Sequence, residues 1–112
     1  MYILIKNEYE DIKSQIRKLI DDGKLPTWQF VVEDNRTRLM HIGDNNQYND
    51  VVLRFVTSYY EGGECLKILP TRKNDATDKE KSKSHFGIVM GRFAEVLNNH
   101  FEKIGMYETM LQ

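Results

Sequence analysis

The stretch WQFVVEDNRTRLMHI, residues 28–42, decides the fold of this chain because the hydrophobic period changes there. Trp28, Phe30 and Val32 occupy alternate positions, the two-residue period of a half-buried strand. The polar residues 34–37 are typical of a turn, and RLMHI then resumes the extended pattern. We therefore predict a hairpin whose strands cover residues 28–33 and 38–42.

Two further strands are predicted after a polar loop at residues 43–50. The stretch VVLRFVTSYY, residues 51–60, alternates along its length, and a tight turn at EGGE leads into CLKIL, residues 65–69. Pro70 is expected to end that strand. Two consecutive hairpins then form a four-stranded antiparallel meander.

Amphipathic helices are predicted on either side of these strands. The first covers residues 8–22, where a capping pattern precedes apolar residues at helical spacing. The second begins near Asp78, after a capping box formed by Thr77 and Glu80. Residues 1–5 are either a short strand or a lead-in beside the first helix. The predicted fold class is α+β, a two-layer domain with the four-stranded antiparallel meander covered on one face by an N-terminal and a C-terminal helix.

Length and composition indicate one domain spanning residues 1–112. The 112 residues are 40% hydrophobic and 29% charged, which is ordinary globular usage, and the net charge of −1 creates no field towards nucleic acid or an acidic membrane. Cys65 is the single cysteine and there are three histidines, so neither a disulfide nor a structural zinc site is expected. No cofactor is implied. With no signal-peptide core and no run long enough to span a bilayer, we expect a soluble cytoplasmic protein without a membrane partner.

Positive charge is concentrated in a basic connector, residues 71–84. Residues 67–92 carry seven Lys and Arg against three Asp and Glu, whereas residues 1–66 carry eight against eleven. This connector either holds a phosphate at a helix N-terminus or is simply solvated, with its lysines on an exposed helical extension. It lacks the Gly-Lys-Ser/Thr ending of a P-loop, so nucleotide hydrolysis has no support.

A pair of glycines and an apolar C-terminal tail each indicate close packing or an interface. Gly87 and Gly91 lie one helical turn apart, which predicts tight contact with the sheet or the first helix, or else a dimer contact or a ligand. The C-terminal tail, residues 106–112, is too apolar for a free tail, so it either docks back or makes an intermolecular contact. Its apolar residues are Met106, Tyr107, Met110 and Leu111.

No convergent set of catalytic residues is visible, so we predict a non-enzymatic module. An enzyme would need a pocket where a carboxylate or Cys65 meets a histidine. The leading prediction is a small intracellular binding module, regulatory or adaptor in role, acting through a protein partner or self-association. The alternative is a protein that binds single-stranded nucleic acid. Arginine and tyrosine side chains on one face of the sheet would bind it together with the basic connector. The residues predicted for it are Arg36, Arg38, Arg54, Tyr60, Arg72, Lys73, Lys79, Lys81 and Lys83.

Residues 32–42, VEDNRTRLMHI, resemble the strand–turn–strand of PUR-type nucleic-acid-binding repeats. The predicted order of four strands followed by a helix is also the order of that repeat. The N-terminal helix and the basic connector depart from its pattern. The resemblance implies nucleic-acid binding in general and assigns no role to an individual residue.

Overall fold

A computed structural model describes residues 1–5, 12–60, 62–101 and 106–110, with the backbone alone at Tyr60 and at residues 106–110. It contains two helices and six strands within these ranges. In chain order they are β1 (Tyr2–Ile5), α1 (Ile12–Asp21), β2 (Trp28–Glu33), β3 (Arg36–His41), β4 (Val51–Tyr60), β5 (Gly63–Arg72), α2 (Lys79–His100) and β6 (Met106–Met110).

The strands form one antiparallel sheet that is larger than the predicted meander. Strands β2, β3, β4 and β5 are neighbours in chain order, which confirms the meander, and β1 joins β5 as a fifth strand. The prediction of four strands was therefore wrong in number. Ile3 lies opposite Ile68, and no local pattern reports a partner so distant along the chain.

The C-terminal tail contributes a sixth strand. Residues 106–110 form β6, which pairs with β1 and extends the sheet at that edge. The C-terminal tail was predicted to begin at residue 106. In the structure this residue begins a strand, and the tail docks back on the domain. Leu111 and the capping pattern at Asn7 and Glu10 lie outside the described residues.

The bounds of β3 and β5 differ from the predicted 38–42 and 65–69, and two of these differences have a clear backbone cause. Asp34 and Asn35 both have positive φ, 51° and 62°, so the first hairpin has a two-residue turn and β3 begins at Arg36 instead of residue 38. Pro70 does not end β5. It lies opposite Leu53 beyond the last β1 pair, and its missing N–H is tolerated because this position needs no ladder bond.

The basic connector is mostly regular structure. Residues 71–72 belong to β5 and residues 79–84 to α2, so only residues 73–78 form a loop. Helix α2 is capped by Asp78, whose carboxylate accepts a hydrogen bond from the Lys81 amide at 3.0 Å. The predicted cap at Thr77 was therefore wrong by one residue.

Both helices bury their apolar stripes in one core on the same face of the sheet. Ile12 and Ile16 of α1 are fully buried, as are Val89 and Phe93 of α2. The sheet contributes alternate residues of each strand to the same core, as the two-residue period predicts. These include Ile3, Ile5, Trp28, Leu39, Leu53 and Ile68.

The close packing predicted at Gly87 and Gly91 was wrong for contacts among the described residues. Both glycines lie on the exposed side of α2. A Cβ atom at Gly91 would meet nothing within 4 Å, and one at Gly87 would meet only the Met1 side chain, at 3.5 Å. The stripe that enters the core runs through Val89 and Phe93 instead. An interface at the two glycines stays a prediction.

Candidate binding edge and buried polar pair

The residues predicted for nucleic-acid binding do not form one surface. Arg54 alternates with the buried Leu53 along β4 and therefore lies on the sheet face opposite to α2. Lys79, Lys81 and Lys83 lie in the first two turns of α2, on the helix-covered side. The sheet therefore separates these two groups of cations.

The remaining residues of that set lie apart as well. Arg36 is exposed at the start of β3, and Arg72 is half-buried at the end of β5. Lys73 forms an ion pair with Asp75 at 2.8 Å. The side chain of Tyr60 lies outside the described residues.

One of the predicted arginines instead lies near two cations of α1, and we call Lys13, Arg17 and Arg38 the cationic border. Arg38 alternates with the buried Leu39 on β3, so its side chain leaves the sheet on the face opposite to α1. The Lys13 Nζ atom lies 5.7 Å from the centroid of the Phe55 ring, and the Arg17 guanidinium carbon lies 4.4 Å from that of Phe30. Burial lowers the pKa of Lys13, and the positive charges of Arg17 and Arg38 lower it further. No carboxylate of a described residue lies within ion-pair distance of the three cations.

The sequence analysis missed two members of the cationic border. Lys13 and Arg17 are four residues apart on α1 and were interpreted as part of its solvated face. The i, i+4 spacing was the available signal, since it places two like charges side by side. Only the packing of α1 on Phe30 and Phe55 brings them near Arg38 of the neighbouring hairpin.

Strand β2 lies at one edge of the sheet. The two-residue turn makes Glu33 and Arg36 a hydrogen-bonded pair, so residues 29, 31 and 33 bond to β3. Phe30 and Val32 consequently direct their N–H and C=O groups away from the sheet. Within the described residues these groups have no hydrogen-bond partner. The Val32 side chain is 72% exposed. The edge of β2 is therefore accessible around Val32, in the part of the strand that lies beside the cationic border.

A second arrangement joins a carboxylate to a histidine. The Nδ1 atom of His85, on α2, lies 3.0 and 3.1 Å from the two carboxylate oxygens of Asp50, which precedes β4. Burial alone would raise the pKa of Asp50, but its hydrogen bonds with His85, the nearby hydroxyl of Ser82 and the charge of His85 lower it overall. Tyr48 contacts the His85 ring edge-on, with centroids 4.9 Å apart. The hydrogen-bonded pair of Asp50 and His85 therefore connects the N-terminal part of α2 to the start of β4.

Ser82, His85 and Asp50 are the residue types of a catalytic triad, but they do not have the geometry of one. The Ser82 hydroxyl is buried and has no partner within hydrogen-bond distance among the described residues, although it is near enough to Asp50 to help lower that pKa. A nucleophile must contact the histidine nitrogen that faces away from the carboxylate. No such contact with His85 exists in the described part of the chain. The adjacent cavity of about 200 Å³ is lined by Asp50 and Ser82 but not by His85.

A smaller cavity, of about 140 Å³, lies against His41 at the end of β3. His41 is only 3% exposed, and its Nδ1 atom has no hydrogen-bond partner among the described residues. Its ring contacts the edge of Trp28, with centroids 4.9 Å apart. Burial lowers the pKa of His41, Asp44 opposes this effect, and Arg92 adds to it.

Acidification is expected to destabilise the domain through His41. Because its pKa in the folded state is below the ordinary value of 6.5, the unfolded chain takes up the proton first. The stability that His41 contributes is complete above pH 6.5 and is lost as the pH falls through the lower folded-state pKa. His41→Phe should therefore flatten the change in unfolding free energy between pH 7 and about pH 5, measured by urea unfolding. His100→Gln, at an exposed histidine, is the control, and equal pH dependence in His41→Phe and wild type would contradict the assignment.

No group of three or more His, Cys, Asp or Glu side chains is placed to hold a metal ion in the described ranges. Neither described helix is long and apolar enough to cross a membrane. The fold defines a class, a two-layer α+β domain with an open antiparallel sheet. Comparison with known proteins adds no family to this class: no family model matches, and no similar curated protein or solved structure is found.

Proposed function

We propose that this domain is a non-enzymatic binding module that acts through contact with another protein, in a regulatory or adaptor role. The observation that carries the proposal is the open edge of β2, where Phe30 and Val32 direct outwards backbone groups that no described residue pairs with, and where Val32 is 72% exposed. Addition of a partner strand to such an edge is a common mode of peptide recognition. The free, buried thiol of Cys65 supports a reducing, cytoplasmic setting.

Retention of a partner by the wild-type chain is expected to depend on the β2 edge. Val32→Pro removes an outward N–H that bonds to nothing in the described chain, so it blocks strand addition while leaving the ladder to β3 intact. The measurement is chemical cross-linking and affinity purification from a lysate of the source cells. A protein retained by wild type should be lost from Val32→Pro.

Tyr59→Ser is the matched control, because Tyr59 is equally exposed at 72% but lies on β4, inside the sheet. It should retain the same partner. Thermal unfolding of both variants checks that they are folded. If the wild-type chain migrates as a monomer in gel filtration and retains no partner, the proposed function is wrong.

The second candidate is single-stranded nucleic-acid binding. The observation that favours it is the cationic border, where Lys13, Arg17 and Arg38 have no described acidic partner. Cations beside aromatic rings are common in single-strand binders. The separation of Arg54 from the α2 lysines by the sheet argues against the broader surface first predicted.

A further inference from the structure

We propose that the free edge of β2 binds an extended acidic segment of a partner protein, whose carboxylates lie on Lys13 and Arg17. This inference rests on the proposed function and specifies the chemistry of the partner. It combines the open backbone of the edge strand with positive charge that has no ion-pair partner among the described residues.

The backbone of β2 sets the form of the ligand. Phe30 and Val32 each offer one N–H and one C=O at the free edge, two residues apart. Only an extended chain running alongside β2 can satisfy both residues at once. The proposed ligand is therefore a strand and not a helix or a compact surface.

The cationic border sets the charge of the ligand. Arg17 lies over the ring of Phe30, one of the two residues that present the free edge, so its guanidinium is beside the path of an added strand. Lys13 lies one helical turn away, over Phe55. Arg17 repels the charge of Lys13, and a carboxylate placed between these two cations would offset that repulsion.

The geometry of a strand specifies where the acidic residues lie. Side chains of an added strand alternate between the two faces of the sheet, and those directly beside Phe30 and Val32 point to the side that α1 covers. Acidic residues at alternate positions of the ligand would therefore all face the side of the sheet that carries Lys13 and Arg17. We expect a recognition sequence with Glu or Asp at every second position.

A protein strand fits these observations better than a nucleic acid does. A phosphodiester backbone could contact the cations but would leave the backbone groups of Phe30 and Val32 without matched donors and acceptors. Arg17 already covers one face of the Phe30 ring, so a base does not stack there without displacing it.

The test is fluorescence anisotropy of the full chain with two labelled, end-capped decapeptides, one alternating Glu and Val and one alternating Gln and Val. The Glu–Val peptide should bind more tightly than the Gln–Val peptide. Arg17→Glu should weaken the Glu–Val peptide by about tenfold or more, as loss of a close charge pair at an interface does. Lys18→Glu makes the same charge change at an exposed position of α1 that lies over no ring of the described residues, and should alter binding less than about twofold. Val32→Pro should abolish binding of both peptides.

Each contrary result identifies what is wrong. If both peptides bind equally and Arg17→Glu does not change their binding, the specificity for acidic residues is wrong. The proposed contact with a protein would not be contradicted by that result. Absence of binding by either peptide would overturn strand addition by this ligand, and the lysate experiment would then decide the proposed function separately. Binding of a labelled single-stranded oligonucleotide at low salt that is lost in Arg17→Glu, with no peptide binding, would assign the cations to phosphate instead.

Discussion

Phe93→Ala is expected to lower the free energy of unfolding by about 3–5 kcal/mol, the usual cost of removing a fully buried phenylalanine. Phe93 is completely buried on α2 and contacts the edges of two other rings. Its ring centroid lies 5.7 Å from that of Trp28 and 6.1 Å from that of Phe55. The variant would leave a cavity where α2 packs on the sheet. Urea unfolding followed by the fluorescence of Trp28, the single tryptophan, measures the effect directly.

Ile88→Ala is the control for this prediction. Ile88 lies on the same helix but is 40% exposed, so its truncation should change the free energy of unfolding by less than about 0.5 kcal/mol. Helix α2 contacts β4 and β5 of the sheet. If Phe93→Ala costs no more than Ile88→Ala, this packing is incorrect. Because Phe55 also carries Lys13, a secondary loss of peptide binding is expected in Phe93→Ala but not in Ile88→Ala.

Asp50→Ala is expected to destabilise the domain by about 1–3 kcal/mol, since it leaves half-buried polar groups of α2 without their acceptor. His85 would lose both contacts at 3.0 and 3.1 Å. A double-mutant cycle with His85→Ala isolates the pair, and its coupling energy should be about 0.5–3 kcal/mol. A coupling energy near zero would show that the pair does not fasten α2 to β4.

The pH dependence of this coupling follows from the lowered pKa of Asp50. A carboxyl whose folded-state pKa is below the ordinary 3.8 contributes stability that is complete above pH 3.8 and is lost as the pH falls through the lower value. The destabilisation by Asp50→Ala should therefore diminish on acidification below pH 3.8. This range is well below that of His41, so the two effects are separable in one titration.

The architecture was largely predictable because most of its elements follow local rules. The alternation at residues 28–33 and 51–60 specified β2 and β4 with their observed bounds. The apolar spacing of Ile12 and Ile16 specified α1, and that of Val89 and Phe93 specified the buried face of α2. Each pattern has the period of its own element, so it could be interpreted without knowledge of the neighbours.

The candidate sites were mostly beyond prediction because each joins distant residues. Asp50 and His85 are 35 residues apart, and neither has a local pattern that indicates the other. The sequence predicts Lys13 and Arg17 as solvated helix residues. Only the tertiary structure shows that they lie over the rings of Phe55 and Phe30. The edge position of β2 is likewise a property of sheet order, which depends on where β1 and β6 pair.

The sequence by itself thus determined the helices, the meander and the apolar core, since hydrophobic periodicity and turn chemistry act over a few residues. Only the tertiary structure decided that β1 and β6 extend one side of the sheet and leave β2 free on the other. It also decided that Lys13 and Arg17 of α1 lie over Phe55 and Phe30 of the sheet, near that edge. The physical reason is that edges and charge clusters form from contacts between elements, whose free energies depend on the whole packed domain and not on any short stretch of chain.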